Sequence, residues 1–414
     1  MTATPVARQA GTLQAIVLLL PITMAVMGVS VLTSVIPLMI EQFKDAPYSQ
    51  YLVPILMTLP SIWILLFSPV AGWLADKYGR RRIVIWSMVV YAIVGTMPTY
   101  LDNIYAIMLS RCGVGICESI VMTVTTTMIS DFFKGHEREK WLANQNATAS
   151  MSALVIIPAG GMLAQVFGWR GPFFLYAFSL LLVVLVIKFT WEPEHGDHVE
   201  QGATEMDPDV RYQELPVMRM IGLCSLTVIA AIMFYSIITQ NGNALTQLGV
   251  TDPGKISLYT SLCSIGVPVG TFIYHHISRI HIGLLVFIDF LLAGIGFHGM
   301  SQATGPVDYT AWAFINQVGC GLLLPTMLVW TTRGLAFSIR GRGTGFWTGA
   351  FSIGQFVSGV LIQFSADRYG GGILGAFKLI STVAFVTAAG AIVAKLIWGK
   401  NALPPPSKVS VSAH

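Results

Sequence analysis

Three ionisable side chains stand inside long apolar runs: Arg111 and Glu118 in "LSRCGVGICESI", and Asp289 in "LLVFIDFLLAGI". A charge in such surroundings costs a few kcal/mol on membrane-insertion scales and is a functional candidate by default. Arg111 and Glu118 are seven residues apart, so on a helix they share one face, about 10.5 Å apart along the axis. That is too far for a tight pair, and the spacing predicts an aqueous cavity that both face. Burial and a nearby arginine act in opposite directions on a carboxyl group and can poise it to load and release a proton. Glu118 is therefore expected to be a proton or substrate site, against the alternative of a hydrogen-bonding brace. For Asp289 a packing role is at least as well supported.

A second concentration of charge is "GWLADKYGRRR", Gly72–Arg82, with Asp76, Lys77, Arg80, Arg81 and Arg82 on one glycine-bracketed turn. The whole chain is only 11% charged, against about 25% in soluble domains. With 414 residues, 54% hydrophobic, and a mean hydropathy of +0.69, it has too little charge to cover a soluble surface.

The elements that must carry these residues are membrane helices, each needing roughly twenty apolar residues. Apolar windows predict an all-α integral membrane protein with twelve spans, at 14–40, 51–75, 83–100, 104–128, 140–167, 172–191, 218–240, 254–277, 282–300, 309–332, 344–366 and 373–398. The first window is too long for a cleaved signal and is expected to remain as a span. The stretch from Glu192 to Pro216 holds eight of the twenty acidic residues, lacks apolar periodicity and reads as a flexible linker. The expected organisation is a six-helix half over 1–191, a linker over 192–217, a second six-helix half over 218–400 and a tail over 401–414. The five cysteines, all in apolar segments, read as packing thiols rather than metal ligands.

Lys and Arg set the orientation. With the N-terminus inside, eighteen of the 24 basic residues fall in inside segments, which makes both termini and the Gly72–Arg82 turn cytoplasmic. Setting Gly72 on Gly270 aligns "GWLADKYGRRR" with "GTFIYHHISRI", a parallel repeat of six-helix halves such as transporters show.

The turn resembles the signature between helices two and three of the major facilitator superfamily, G-x-L-A-D-[R/K]-x-G-R-[R/K]. Gly72, Leu74, Ala75, Asp76, Lys77, Gly79, Arg80 and Arg81 match it as they stand. The resemblance implies that Gly72, Asp76, Gly79, Arg80 and Arg81, with Asp131 at the end of helix four, form a conformational latch. Gly72 would let helices approach closely, and Gly79 would permit the turn. Arg111 followed by Gly115 is similar to the helix-four motif of proton-coupled members. Two features depart from the exporters of this superfamily. "SALVIIPAGG" lacks their Gly-Pro pair, and Gly28 stands where some carry a helix-one carboxylate.

Substrate contacts are expected from Tyr235, Gln240, Asn241, Asn316, Gln317 and Gln355, with helix–helix hydrogen bonding as the alternative. No nucleophile elbow, zinc signature or phosphate-binding loop appears, so an enzyme is not expected. The resemblance implies a secondary active transporter working by alternating access, expected to be a proton-coupled exporter of a small organic molecule. The alternative is a proton symporter importing a small organic anion, with Arg111 as its partner. The expected partners are a small-molecule substrate, protons and the lipid bilayer, with no nucleic acid. No cofactor beyond the proton gradient and no metal is implied, and a monomer in a bacterial inner membrane is expected.

Overall fold

A bilayer core offers no water to unpaired backbone groups, so a spanning chain pairs its own along a helix. The computed structural model describes residues 10–192 and 212–398, and helices make up most of them. In chain order the helices are α1 (Thr12–Leu19), α2 (Ile22–Ser30), α3 (Ile36–Gln42), α4 (Ser49–Tyr78), α5 (Arg80–Thr96), α6 (Ile104–Phe132), α7 (Gly135–Phe167) and α8 (Phe178–Phe189). They continue with α9 (Val217–Gln247), α10 (Pro253–Ser264), α11 (Gly266–Ile277), α12 (Ile282–Gln302), α13 (Pro306–Thr332), α14 (Phe337–Tyr369) and α15 (Gly372–Trp398). Among the described residues there is no strand, only an isolated bridge between Tyr212 and Leu335.

Among the described residues, eleven helical runs are long and apolar enough to cross a membrane. One of them, Lys140–Phe189, has 50 residues, more than twice the ~20 that a crossing needs. It turns at Gly168, whose φ of +64° favours glycine, and continues through a 3₁₀ segment, Gly168–Ala177, into α8. The run is thus two crossings, which restores the expected twelve.

Contacts divide the chain into two units. The first takes the described residues up to 192 together with Asp252–Leu258, and the second takes the remainder. In the first, α4 packs along α6, where a Cβ at Gly115 would lie 2.5 Å from the Pro60 carbonyl oxygen. In the second, α13 packs on α11 through Gly270 and Gly321, each against backbone of the other helix.

Three expectations need correction. The window 14–40 is not one helix: it breaks at Leu20–Pro21 and again over residues 31–35, between α2 and α3. Gly72 is not a close-approach position, because a Cβ there would meet nothing within 4 Å. The linker is not free at its described ends. Glu192 accepts hydrogen bonds from the Arg80 and Arg81 backbone N–H groups at 2.5 and 3.0 Å. At the other end the Tyr212 N–H donates to Gly334 O, and Tyr212 O accepts from the Ala336 N–H. The central linker and the 401–414 tail lie outside the described residues.

Candidate functional site

The break in the first span leaves carbonyls without helical partners. At the end of any α-helix the last four C=O groups lack an N–H one turn on; for α2 these include Met27 and Gly28. Pro60 creates a further orphan, because proline has no N–H to offer the Leu56 carbonyl. Arg111, fully buried on α6, reaches two of these groups. Its Nε donates to Leu56 O at 3.0 Å and its Nη2 donates to Gly28 O. Its Nη1 donates to the Tyr176 hydroxyl at 2.5 Å, and that hydroxyl donates in turn to Met27 O at 3.3 Å. A guanidinium at the negative end of α2 is also favoured by the helix dipole, by up to about 2 kcal/mol in a partly buried setting.

Glu118 lies two turns along the same helix and is 1% exposed. Its carboxyl group sits against Gly28, where an added Cβ would collide with it. Tyr91, fully buried on α5, holds its hydroxyl 2.8 Å from Met24 O and 3.4 Å from Glu118 Oε1. The Tyr91 and Tyr176 rings lie 5.2 Å apart and close the group. The structure therefore brings Arg111 and Glu118 into one polar core in which both side chains are buried, and no ion pair joins them among the described residues. Helix one lacks its own carboxylate, yet a carboxylate from helix four fills the space that Gly28 leaves.

An open cavity of about 640 Å³ lies on another side of α2, lined by Leu20, Thr23, Met27, Asn144, Thr148 and Met151 among others. None of the six side chains expected to bind substrate lines it. Those six are scattered through the second unit. Gln240 donates to Gly359 O at 3.0 Å, and Asn316 donates to Ala293 O at 2.9 Å. Asn241 donates to the Thr260 hydroxyl at 2.6 Å and accepts from the Tyr309 hydroxyl at 2.7 Å. Tyr235 packs edge-on against Phe351. Gln317 and Gln355 are buried, and the Gln317 Nε2 has no hydrogen-bond partner. Asp289 is fully buried on α12, and neither of its carboxylate oxygens is hydrogen-bonded.

The charged turn is built as a cluster. Gly79 holds φ +92° between α4 and α5, a geometry that a side chain would strain. Arg80 pairs with Asp131 and reaches Asp76 at 3.4 Å. Arg81 donates to Ile187 O in the last turn of α8 at 2.7 Å. The Glu192 carboxylate covers the first N–H groups of α5, the favoured place for an anion.

Comparison with known proteins places this arrangement. The Major Facilitator Superfamily profile matches residues 18–359. The chain belongs to that superfamily. It is a multi-pass membrane transporter of small molecules, not an enzyme. Among curated relatives, the sialic acid transporter NanX of Escherichia coli is 24% identical over 336 residues, 76% of this chain and 77% of that protein. The bacillibactin exporter of Bacillus subtilis is 30% identical over 154 residues, 36% of this chain and only 37% of the relative. The quinolone resistance protein NorA of Staphylococcus aureus is 25% identical over 177 residues, 42% of this chain and 45% of its own. In fold the chain is similar to a bacterial homolog of the human lysosomal transporter Spinster, with a TM-score of 0.76 at 15% identity over 96% of this chain and 100% of that one. It is also similar to the nucleoside transporter NupG, with a TM-score of 0.72 at 11% identity over 93% and 98% of the two chains.

Within this superfamily member, sequence reasoning missed Tyr91, Tyr176, Glu192 and the cavity residues. A signal existed for some of them. A tyrosine in an apolar run, as in "VVYAIV", needs a partner for its hydroxyl. Asn144, Thr148, Met151 and Val155 recur at helical spacing along one face of α7. Glu192 follows helix six directly, where the basic turn offers free N–H groups.

Proposed function

We propose that this transporter exports small amphipathic organic molecules in exchange for protons, with Glu118 as the proton carrier. The observation that carries the reading is a carboxyl group sealed between helices one, three and four, with, among the described residues, no cation paired to it and a single phenol at hydrogen-bonding distance. Such a group can gain or lose a proton only when the helices around it rearrange, which is what coupling requires. The cavity beside α2, apolar with a few hydroxyl and amide groups and two methionines, suits an adaptable site for amphiphiles. The similarity to the bacillibactin exporter and NorA supports export. In this reading the protein lies in a bacterial inner membrane with both termini cytoplasmic, works as a monomer and needs no cofactor beyond the proton gradient. The Asp76–Arg80–Asp131 cluster serves as its latch.

Proton symport of an organic anion is the competing reading, supported by the longer match to NanX. It needs Arg111 as the anion's partner, and that arginine already spends Nε, Nη1 and Nη2 on two backbone carbonyls and a phenol. Reconstituted protein under an imposed pH gradient separates the two. Ethidium or a quinolone moving against the proton flux is the expected result. Accumulation of sialic acid together with protons, without movement of either drug, would establish symport instead.

A further inference from the structure

The Tyr91 hydroxyl has one proton and two acceptors in reach. Met24 O, at 2.8 Å, is within ordinary hydrogen-bond range, whereas Glu118 Oε1, at 3.4 Å, is at its outer limit. As drawn, the phenol is committed to the backbone of helix one, and the carboxyl group is left with the weak second contact. An ionised carboxylate is the stronger acceptor, since hydrogen bonds to charged groups are roughly twice as strong as neutral ones. The phenol therefore has two settings, selected by the charge on Glu118. With Glu118 protonated it donates to Met24 O, and with Glu118 ionised it turns to the carboxylate and releases Met24 O.

What it releases belongs to a short helix. Met24 lies in α2, the nine-residue helix that ends at the break over residues 31–35. The last turn of α2 is held from outside, by Tyr176 at Met27 O and by Arg111 at Gly28 O. Gly28 also touches the Glu118 carboxyl group directly, and Thr23 and Met27 on the same helix line the open cavity. One short helix thus has the carboxyl group on one side and the cavity on another. We propose that Tyr91 is the positioning residue that conveys the charge on Glu118 to the broken first helix, loosening α2 when Glu118 is ionised and tethering it when Glu118 is protonated. This rests on Glu118 being the proton carrier and adds how the proton is communicated to the cavity wall. The groups facing Glu118 are Tyr91 from α5, Tyr176 from the 168–177 segment, Gly28 from α2, and Arg111 and Cys117 from α6. Arg111 is the charged group among them. Its three bonds go to backbone and to Tyr176, which leaves Tyr91 as the group hydrogen-bonded to Glu118 itself.

The test needs no substrate. Hydrogen–deuterium exchange of the full chain in detergent, followed over peptides covering residues 22–36 and corrected for the intrinsic pH dependence of exchange, should show uptake rising severalfold as pH rises in the wild type. Tyr91→Phe keeps the ring and its packing on Tyr176 but removes the switching proton; uptake in these peptides should be high and independent of pH. Glu118→Gln should give low, pH-independent uptake, because the phenol then stays on Met24 O. Peptides from α13 serve as the internal control for global unfolding. A Tyr91→Phe protein that keeps the wild-type pH response overturns the relay while leaving Glu118 as carrier. A wild-type response that survives Glu118→Gln counts against Glu118 itself. If Tyr91→Phe proves unstable, the wild type and Glu118→Gln decide between a tether set by Glu118 and none.

Discussion

The two six-helix units solve the same packing problem with different chemistry. The shift that sets Gly72 on Gly270 places Tyr309 opposite Arg111, Asn316 opposite Glu118 and Asp289 opposite Tyr91. In the first unit helix four contacts helix one through a guanidinium, at Gly28 O. In the second, helix ten contacts helix seven through the Tyr309 hydroxyl, at Asn241 Oδ1. The helix-four acid has a phenol beside it, whereas the matching position on helix ten is an amide bound to backbone. The matching contacts of the second unit, at Asn241, Tyr309 and Asn316, are neutral hydrogen bonds whose strength does not change with protonation, and Asp289 makes none. If Glu118 carries the proton, as proposed, the matching positions of the second unit act as a static brace.

The largest effect that would sharpen this contrast is expected from Arg111→Met. It strands the Leu56 and Gly28 carbonyls in an apolar interior, each at about 1–3 kcal/mol, and should lower the thermal stability of purified protein sharply. Tyr309→Phe, its counterpart, removes one neutral hydrogen bond and should cost about 1–2 kcal/mol. Equal losses in the two variants would erase the distinction between the units. Asp289→Leu is next. Because this carboxyl group has no hydrogen-bond partner, an apolar replacement should leave stability unchanged or raise it by about 1 kcal/mol, with transport intact. Loss of transport in a stable Asp289→Leu protein would give the second unit ionic chemistry of its own and break the comparison.

The smallest effect is at the surface. The Gln165 amide and the Gly254 N–H both donate to the Asp252 carboxylate and hold it below its ordinary value. Its lowered value means that the contribution is complete above the ordinary carboxylate range, near pH 4, and is lost as pH falls through the lowered value. Asp252→Asn should therefore loosen the first turn of α10 slightly at neutral pH and abolish its acid sensitivity. Exchange measured on peptides from residues 252–258 at neutral and acid pH would report both.

Much of this architecture could be read from residue order. Twelve apolar windows, the Gly79 turn and the cluster of Asp76, Arg80 and Asp131 follow from local pattern and a matched signature. The polar core was legible only as isolated charges. Periodicity placed Arg111 and Glu118 on one face of helix four, but it could not show that helix one breaks there, since "VLTSV" reads as an apolar continuation of the helix. Nor could it show that Pro60 and the end of α2 leave carbonyls for an arginine to fill, so that Arg111 caps backbone groups. Gly28, which in sequence marks a missing acid, is in space the vacancy that receives one. Contacts between helices decide these points, and they leave no periodic trace.

The central claim is that Glu118 carries the coupling proton, and Glu118→Gln tests it most directly when two assays are run on the same proteoliposomes. Glutamine keeps the size and hydrogen-bonding capacity of the side chain but cannot titrate. With ethidium as the probe, transport driven by a pH gradient should disappear, while exchange of labelled for unlabelled ethidium without a gradient should persist. A Glu118→Gln protein that still moves ethidium against its gradient, with the proton dependence of the wild type, would contradict the account.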